Sequence, residues 1–404
     1  MTRYDLDWMI SVDDHVLEPP DVWQARVAAK YRDRAPKLVT DRDGERWVYD
    51  GREVATSGLS AVVGKSTTEF SPDPISYAEM RPGCYDARAR IEDMNLDGVL
   101  ASLCFPSFPR FCGQIFYEAQ DKDLAHECVR AYNDWMIDDW CASAPGRFIP
   151  LIIVPLWDPA LAVAEIERTA AMGARAVAFS ENPAPLGLPT IHDRSGYWMP
   201  MLQAAADNEL VVCMHIGSSS QLPRISPDAP VLANKSFGAT RTAGAALEWL
   251  FSGIFQRVPA LKIALSEGSV GWIPFFLQTA KQVLDHHRGW AQRGVVWDPS
   301  ANGEAMVSNG VDLAELDVWK DYREHIFGCF IDDEVGVALL DYVGADNVMI
   351  ETDYPHADST WPGSRKLARQ RLGHLPEEVQ YKIMRGNAER LFRFTPAQPP
   401  AVPA

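Results

Sequence analysis

Eight short stretches of the chain are almost wholly apolar and rich in branched or aromatic side chains. They are "WMISVDDH" (8–15), "GVLASLCFP" (98–106), "FIPLIIVPL" (148–156), "ARAVAFSEN" (174–182), "LVVCMHIG" (210–217), "LKIALSEG" (261–268), "HIFGCFID" (325–332) and "NVMIETDYPH" (347–356). Continuous apolar runs of this length suit strands covered on both faces, as in a parallel sheet flanked by helices. Helical patterns lie between them: "DARARIEDMN", "DPALAVAEIERTAAMG", "AGAALEWLFSGIF" and "DEVGVALLDYV". Eight strands alternating with helices predict an α/β protein of the (β/α)8 TIM-barrel type. A doubly wound sheet has the same ingredients, but no glycine-rich phosphate loop follows the first run.

Two parts fall outside this repeat. Residues 31–85 form an insertion after the first strand, and "WVYDGREV" within it predicts a small hairpin turning at Asp50-Gly51. The insertion is expected to act as a lid or an oligomer contact. Residues 1–394 are read as one barrel domain, and the Pro/Ala-rich tail 395–404 as extended or disordered.

Composition narrows the function classes. A formal net charge of -17 disfavours nucleic-acid or anionic membrane surfaces, which need Lys and Arg to replace counterions. The seven cysteines show no CxxC pair, so neither a disulfide framework nor a thiolate zinc site is expected. The start "MTRYDLDW" lacks the basic and apolar segments of a secretory signal, and no run approaches a membrane span. The expectation is a cytoplasmic protein without membrane or nucleic-acid partners.

The chemistry lies where the apolar runs stop. Asp13 and His15 end the first run, Glu181 the fourth, His215 the fifth, Glu267 the sixth, Asp332 and Asp333 the seventh, and Asp353 and His356 the eighth. In an eight-stranded barrel these ends share one face, where active sites are built. Asp13 and His15, two apart on an extended segment, project to one side. With His215 and Asp353 they form a mixed nitrogen and oxygen set suited to Zn2+, Mn2+ or Fe2+. Asp353 could also take a proton during turnover. Glu18 is either a further ligand or the cap of the Pro19-Pro20 turn.

These residues carry a resemblance. "SVDDHVLEPPDVW", "RIEDMNLDGV", "CMHIGSS", "LEWLFSGIFQRVPALKIALSEGSVGWIPFFL", "IETDYPHADSTWP" and "IMRGNAERLF" resemble the amidohydrolase superfamily. The branch is the one that includes aminocarboxymuconate semialdehyde and gamma-resorcylate decarboxylases. The resemblance implies a divalent metal on Asp13, His15, His215 and Asp353. It also marks a departure: those decarboxylases carry a catalytic His after the sixth strand, where this chain has Glu267 in "SEGSVGW". A similar sub-branch of dinuclear iron or manganese oxygenases implies a second ion on Glu18, Glu267, His287 and His356.

The function expected is therefore a metal-dependent hydrolase or decarboxylase of a small carboxylated molecule, with Asp353 and Glu267 moving protons. The alternative is a dinuclear non-heme oxygenase, and a non-catalytic subunit of a related chain is the third reading. Arg110, Arg224 and Arg241 are candidates to pair a substrate carboxylate. Homo-oligomers, or hetero-oligomers with a related chain, are expected from the superfamily.

Overall fold

The computed structural model describes residues 4–42, 44–221, 224–297, 306–308 and 310–401. The strands among them are β1 (Met9–Val16), β2 (Lys37–Asp41), β3 (Gly44–Tyr49), β4 (Arg52–Val54), β5 (Val99–Pro106), β6 (Phe148–Ile149), β7 (Leu151–Ile152) and β8 (Ala176–Ser180). They continue with β9 (Val211–His215), β10 (Ile263–Ser266), β11 (Val295–Trp297), β12 (Met306–Ser308), β13 (Ile326–Phe330) and β14 (Val348–Ile350).

Every one of the eight apolar runs contains barrel strand. β1 pairs with β5 and β5 with β6; β7, β8, β9, β10, β13 and β14 follow in unbroken parallel order. The third strand is split into β6 and β7 at Pro150, which has no amide hydrogen to give. Its carbonyl still accepts from the amides of Arg175 and Ala176. The ring closes just beyond β14: the Asp353 amide donates to the Asp13 carbonyl at 2.9 Å and the His15 amide to the Tyr354 carbonyl at 2.6 Å. The strand interiors are completely buried, so the expected TIM barrel has a packed centre.

The helices start where the sequence supplies caps. Asp86 and Asp158 accept amide hydrogen bonds at the first turns of Ala87–Asp97 and Pro159–Met172. The pattern "AGAALEWLFSGIF", predicted as one helix, is two: Ala239–Leu250 ends before Gly253, whose φ of 71° the helix cannot carry, and Ile254–Arg257 follows.

The insertion contains the expected hairpin. β3 and β4 pair across Asp50-Gly51, with φ of 46° and 79°, and β2 adds a third antiparallel strand that the pattern did not show. Trp47 and Tyr49 bury their rings against Trp23, Phe108 and Phe116, so the sheet packs on the loops after β1 and β5. The amide of Val62 reaches the Pro355 carbonyl, next to His356. In the tail, residues 395–401 form no regular structure, but the Ala397 amide donates to the Gly146 carbonyl. The antiparallel pairing of β11 with β12 is a further feature that the pattern did not show. Among the described residues no helix is long and apolar enough to cross a membrane.

Candidate metal centre

The first strand sorts its ionisable residues by alternation. Asp13 and His15 turn towards the mouth of the barrel, while Asp14 turns away into a buried polar network. The Asp14 carboxylate accepts from Ser11, from the Thr352 hydroxyl at 2.6 Å, from the Tyr354 amide at 3.0 Å and from Ser102. It thereby ties the first strand to the second and the last. Arg90 lies beside it, completely buried, donating from Nε to the Gly83 carbonyl at 2.7 Å and from Nη2 to the His15 carbonyl at 2.6 Å.

Above that network four predicted ligands converge. His15 Nε2 is 3.2 Å from Asp353 Oδ1 and 3.7 Å from Asp13 Oδ1, and His215 Nε2 is 3.4 Å from Asp13 Oδ2. All four residues are buried. Among the described residues, both carboxylate oxygens of Asp13 and of Asp353, both ring nitrogens of His15 and Nε2 of His215 have no hydrogen-bond partner. Buried polar atoms are almost always paired, so unpartnered ligand atoms facing one another fit a cation. The ring of His215 is already oriented for one: its Nδ1 lies 2.6 Å from the Ile216 carbonyl. Donation to that carbonyl places the proton on Nδ1 and leaves the Nε2 lone pair free.

The electrostatics agree with that fit. Burial, then the neighbouring Glu351, Asp353 and Glu267, push the Asp13 carboxyl well above its ordinary range. Burial, then His356 and Arg90 beside His15 and the neighbouring imidazoles beside His215, push these two imidazoles well below theirs. Neutral imidazoles are the metal-binding form, and a divalent cation would reverse the repulsion among the carboxylates.

Glu267 and His356 border this centre. Glu267 Oε2 is 3.4 Å from His215 Nε2, and the His356 ring stacks on His15 at 3.6 Å, with Nδ1 3.3 Å from Asp353 Oδ1. His356 forms one group of ligand atoms with His15 and Asp353, and Asp358, not singled out from the sequence, forms another with Glu267 and Asp353, each within 4.8 Å, while holding Lys235 at 2.8 Å. Burial, then Asp353 and Asp358, raise the Glu267 carboxyl well above its usual range. Glu351 was also missed. It is buried, directly after β14 and two residues before Asp353.

Two of the expected ligands lie elsewhere. His287 is exposed on the helix Ile273–Ala291, where its Nδ1 accepts from the Trp290 indole at 3.1 Å; its position on the helix turns it outward. Glu18 is buried, but its two oxygens accept the amides of Ser107 and Phe108 at 3.0 and 2.9 Å. It anchors the loop after β5 and lies outside the groups of ligand atoms above. Arg110 and Arg241 already hold carboxylates, Glu118 at 2.5 Å and Glu181 at 3.1 Å, while Arg224 is exposed.

Glu18→Ala accordingly leaves two amides unpaired and is expected to cost about 2–4 kcal/mol of stability without changing metal content. Burial raises the Glu18 carboxyl from 4.5 to about 7. The folded state therefore holds the proton longer, and the contribution of this group falls as pH rises between those values. The cost of Glu18→Ala is expected to be larger at pH 5 than at pH 8. Denaturant unfolding at both pH values, with metal counted, checks this; loss of the ion would restore Glu18 to the ligand set.

Comparison with known proteins follows the same lines. The chain is 25% identical over 346 residues to gamma-resorcylate decarboxylase of Polaromonas sp. (strain JS666 / ATCC BAA-500), covering 80% of this chain and 93% of that one. An amidohydrolase from Mycobacterium avium subsp. paratuberculosis K-10 superposes with a TM-score of 0.69 at 20% identity, over 97% of this chain and 100% of that one. Dihydroxybenzoic acid decarboxylase from Polaromonas sp. JS666, solved with bound manganese and 2-nitroresorcinol, superposes with a TM-score of 0.58 at 18% identity, over 96% and 97%. The sequence profile of the family described as amidohydrolase matches residues 20–394, nearly the whole barrel, and the chain belongs to that family.

Proposed function

We propose that the protein is a metal-dependent decarboxylase of small carboxylated aromatic compounds. The ion is held by Asp13, His15, His215 and Asp353, and Glu267 moves the proton. The observation that carries this reading is the convergence of unpartnered, buried ligand atoms on those four residues. The names of the relatives support decarboxylation over hydrolysis.

A bound divalent ion would supply Lewis acidity, drawing electron density from substrate oxygens. The chain supplies the rest. Phe111, half-buried and stacked on His215 at 4.0 Å, offers an aromatic wall for a ring. Loss of CO2 leaves an electron pair on the ring carbon, which must be protonated. Glu267, whose side chain is 22% exposed, stands at the mouth as the acid for that step. It takes the place at which the resemblance expects an imidazole.

The test is the Mn2+-loaded protein with 2,6-dihydroxybenzoate in D2O. CO2 release is expected, with one deuterium at the carbon that carried the carboxylate, and Glu267→Gln should slow it by about 10^2–10^4-fold. No CO2 from this or other hydroxylated aromatic carboxylates overturns the reading.

One observation favours the oxygenase alternative: Glu267, Asp353 and Asp358 form a further ligand group that shares Asp353 with the group of His15 and His356. Elemental analysis decides between them. Two ions per chain, including iron, with turnover that requires O2, would replace decarboxylation.

A further inference from the structure

We infer that Glu351 is a positioning residue for Glu267, an inference that rests on the role proposed for Glu267 above. Glu267 is the first residue beyond β10, and its φ of 56° puts it in the left-handed region. A residue with a side chain stands there only under strain, so the turn must be held from outside.

Three side chains hold it. The Trp272 indole donates to the carbonyls of Gly268 and Ser269 at 2.8 and 3.0 Å. Asp333 Oδ2 accepts the amides of Val270 and Gly271 at 2.8 and 2.7 Å. Both act further along the turn. The amide of Glu267 itself donates to Glu351 Oε2 at 3.1 Å.

Glu351 is well placed for this. It follows β14 directly, is 1% exposed, and its own amide donates to the Phe330 carbonyl at 3.1 Å. Its second oxygen, Oε1, is buried without a partner among the described residues. Packing alone would favour an apolar side chain at such a position. Two residues further on stands Asp353, also left-handed at φ 51°. One carboxyl group thus ties the turn that presents Glu267 to the strand end that presents Asp353, and sets the relation of the proton-moving acid to the metal ligands.

The test uses the full-length Mn2+-loaded protein and two variants, Glu351→Met, which fills the volume without an acceptor, and Glu351→Gln, whose amide oxygen can accept the same N–H. Hydrogen exchange at the Glu267 amide is read alongside kcat, KM and manganese per chain. E351M is expected to speed that exchange at least about 10-fold and lower kcat about 10–100-fold, with KM and manganese content unchanged. E351Q is expected to recover most of both. Wild-type exchange in E351M, or equal losses in the two variants, overturns the inference. If E351M does not fold, E351Q decides alone: retained protection of the Glu267 amide is expected, and a 10-fold loss overturns it. Should the wild type release no CO2, the decarboxylase reading fails while the exchange measurement still decides the placement of Glu267.

Discussion

His215→Ala is expected to remove the metal and abolish turnover while leaving the barrel folded. The imidazole reaches the centre from the end of β9, with Nε2 3.4 Å from both Asp13 and Glu267 and Nδ1 against the Ile216 carbonyl. Deleting an outer hydrogen-bond partner of a ligand costs about 10–100-fold in metal affinity, and deleting the ligand itself should cost more. Folding should survive, because the side chain leaves behind carboxyls that burial already favours in their neutral form. Elemental analysis, a competitive metal titration and circular dichroism check the three parts. Full metal content in a folded His215→Ala protein would remove this residue from the ligand set.

Arg90→Ala is expected to be the most damaging single change to stability, by about 3–5 kcal/mol. The guanidinium is fully buried, gives two hydrogen bonds of 2.6 and 2.7 Å to backbone carbonyls, and lies 4.0 Å over the Tyr354 ring. It is also the cation that offsets the buried Asp14 carboxylate. Its removal strands that charge and frees the His15 carbonyl, so the damage reaches the metal centre through the backbone. Arg90→Lys should recover little, because a single ammonium cannot reproduce the planar pair of donors. Denaturant unfolding with metal titration is the measurement; a loss below about 1 kcal/mol would show that this network does not hold the first strand.

How far the sequence could be read depended on the physics that placed each residue. Asp13, His15, His215 and Asp353 were legible because each ends an apolar run, and a parallel barrel puts such ends on one face whatever the details of packing. Glu267 and His356 were legible for the same reason, although the sequence could not separate ligand from acid. Glu351 stands at the same strand end, two residues before Asp353, but its partner is the backbone amide of Glu267, which no side-chain pattern reports. Asp358 lies in a loop beyond the strand end, and only the folded chain returns it to Glu267. Glu18 and His287, implied as ligands by the resemblance, lie elsewhere, because backbone amides hold Glu18 and the helix face turns His287 outward.

By itself, then, the sequence determined the parallel strands, their number and the four residues at the mouth, because burial on both faces writes continuous apolar runs and their ends are local. The tertiary structure alone decided which acids face the centre and which serve the scaffold. That choice depends on backbone amides and carbonyls from distant segments: those of Ser107 and Phe108 claim Glu18, that of Glu267 claims Glu351, and the last strand closes on the first through Asp13 and Tyr354. A carboxylate goes where unpaired donors await it, and such donors exist only once the chain has folded.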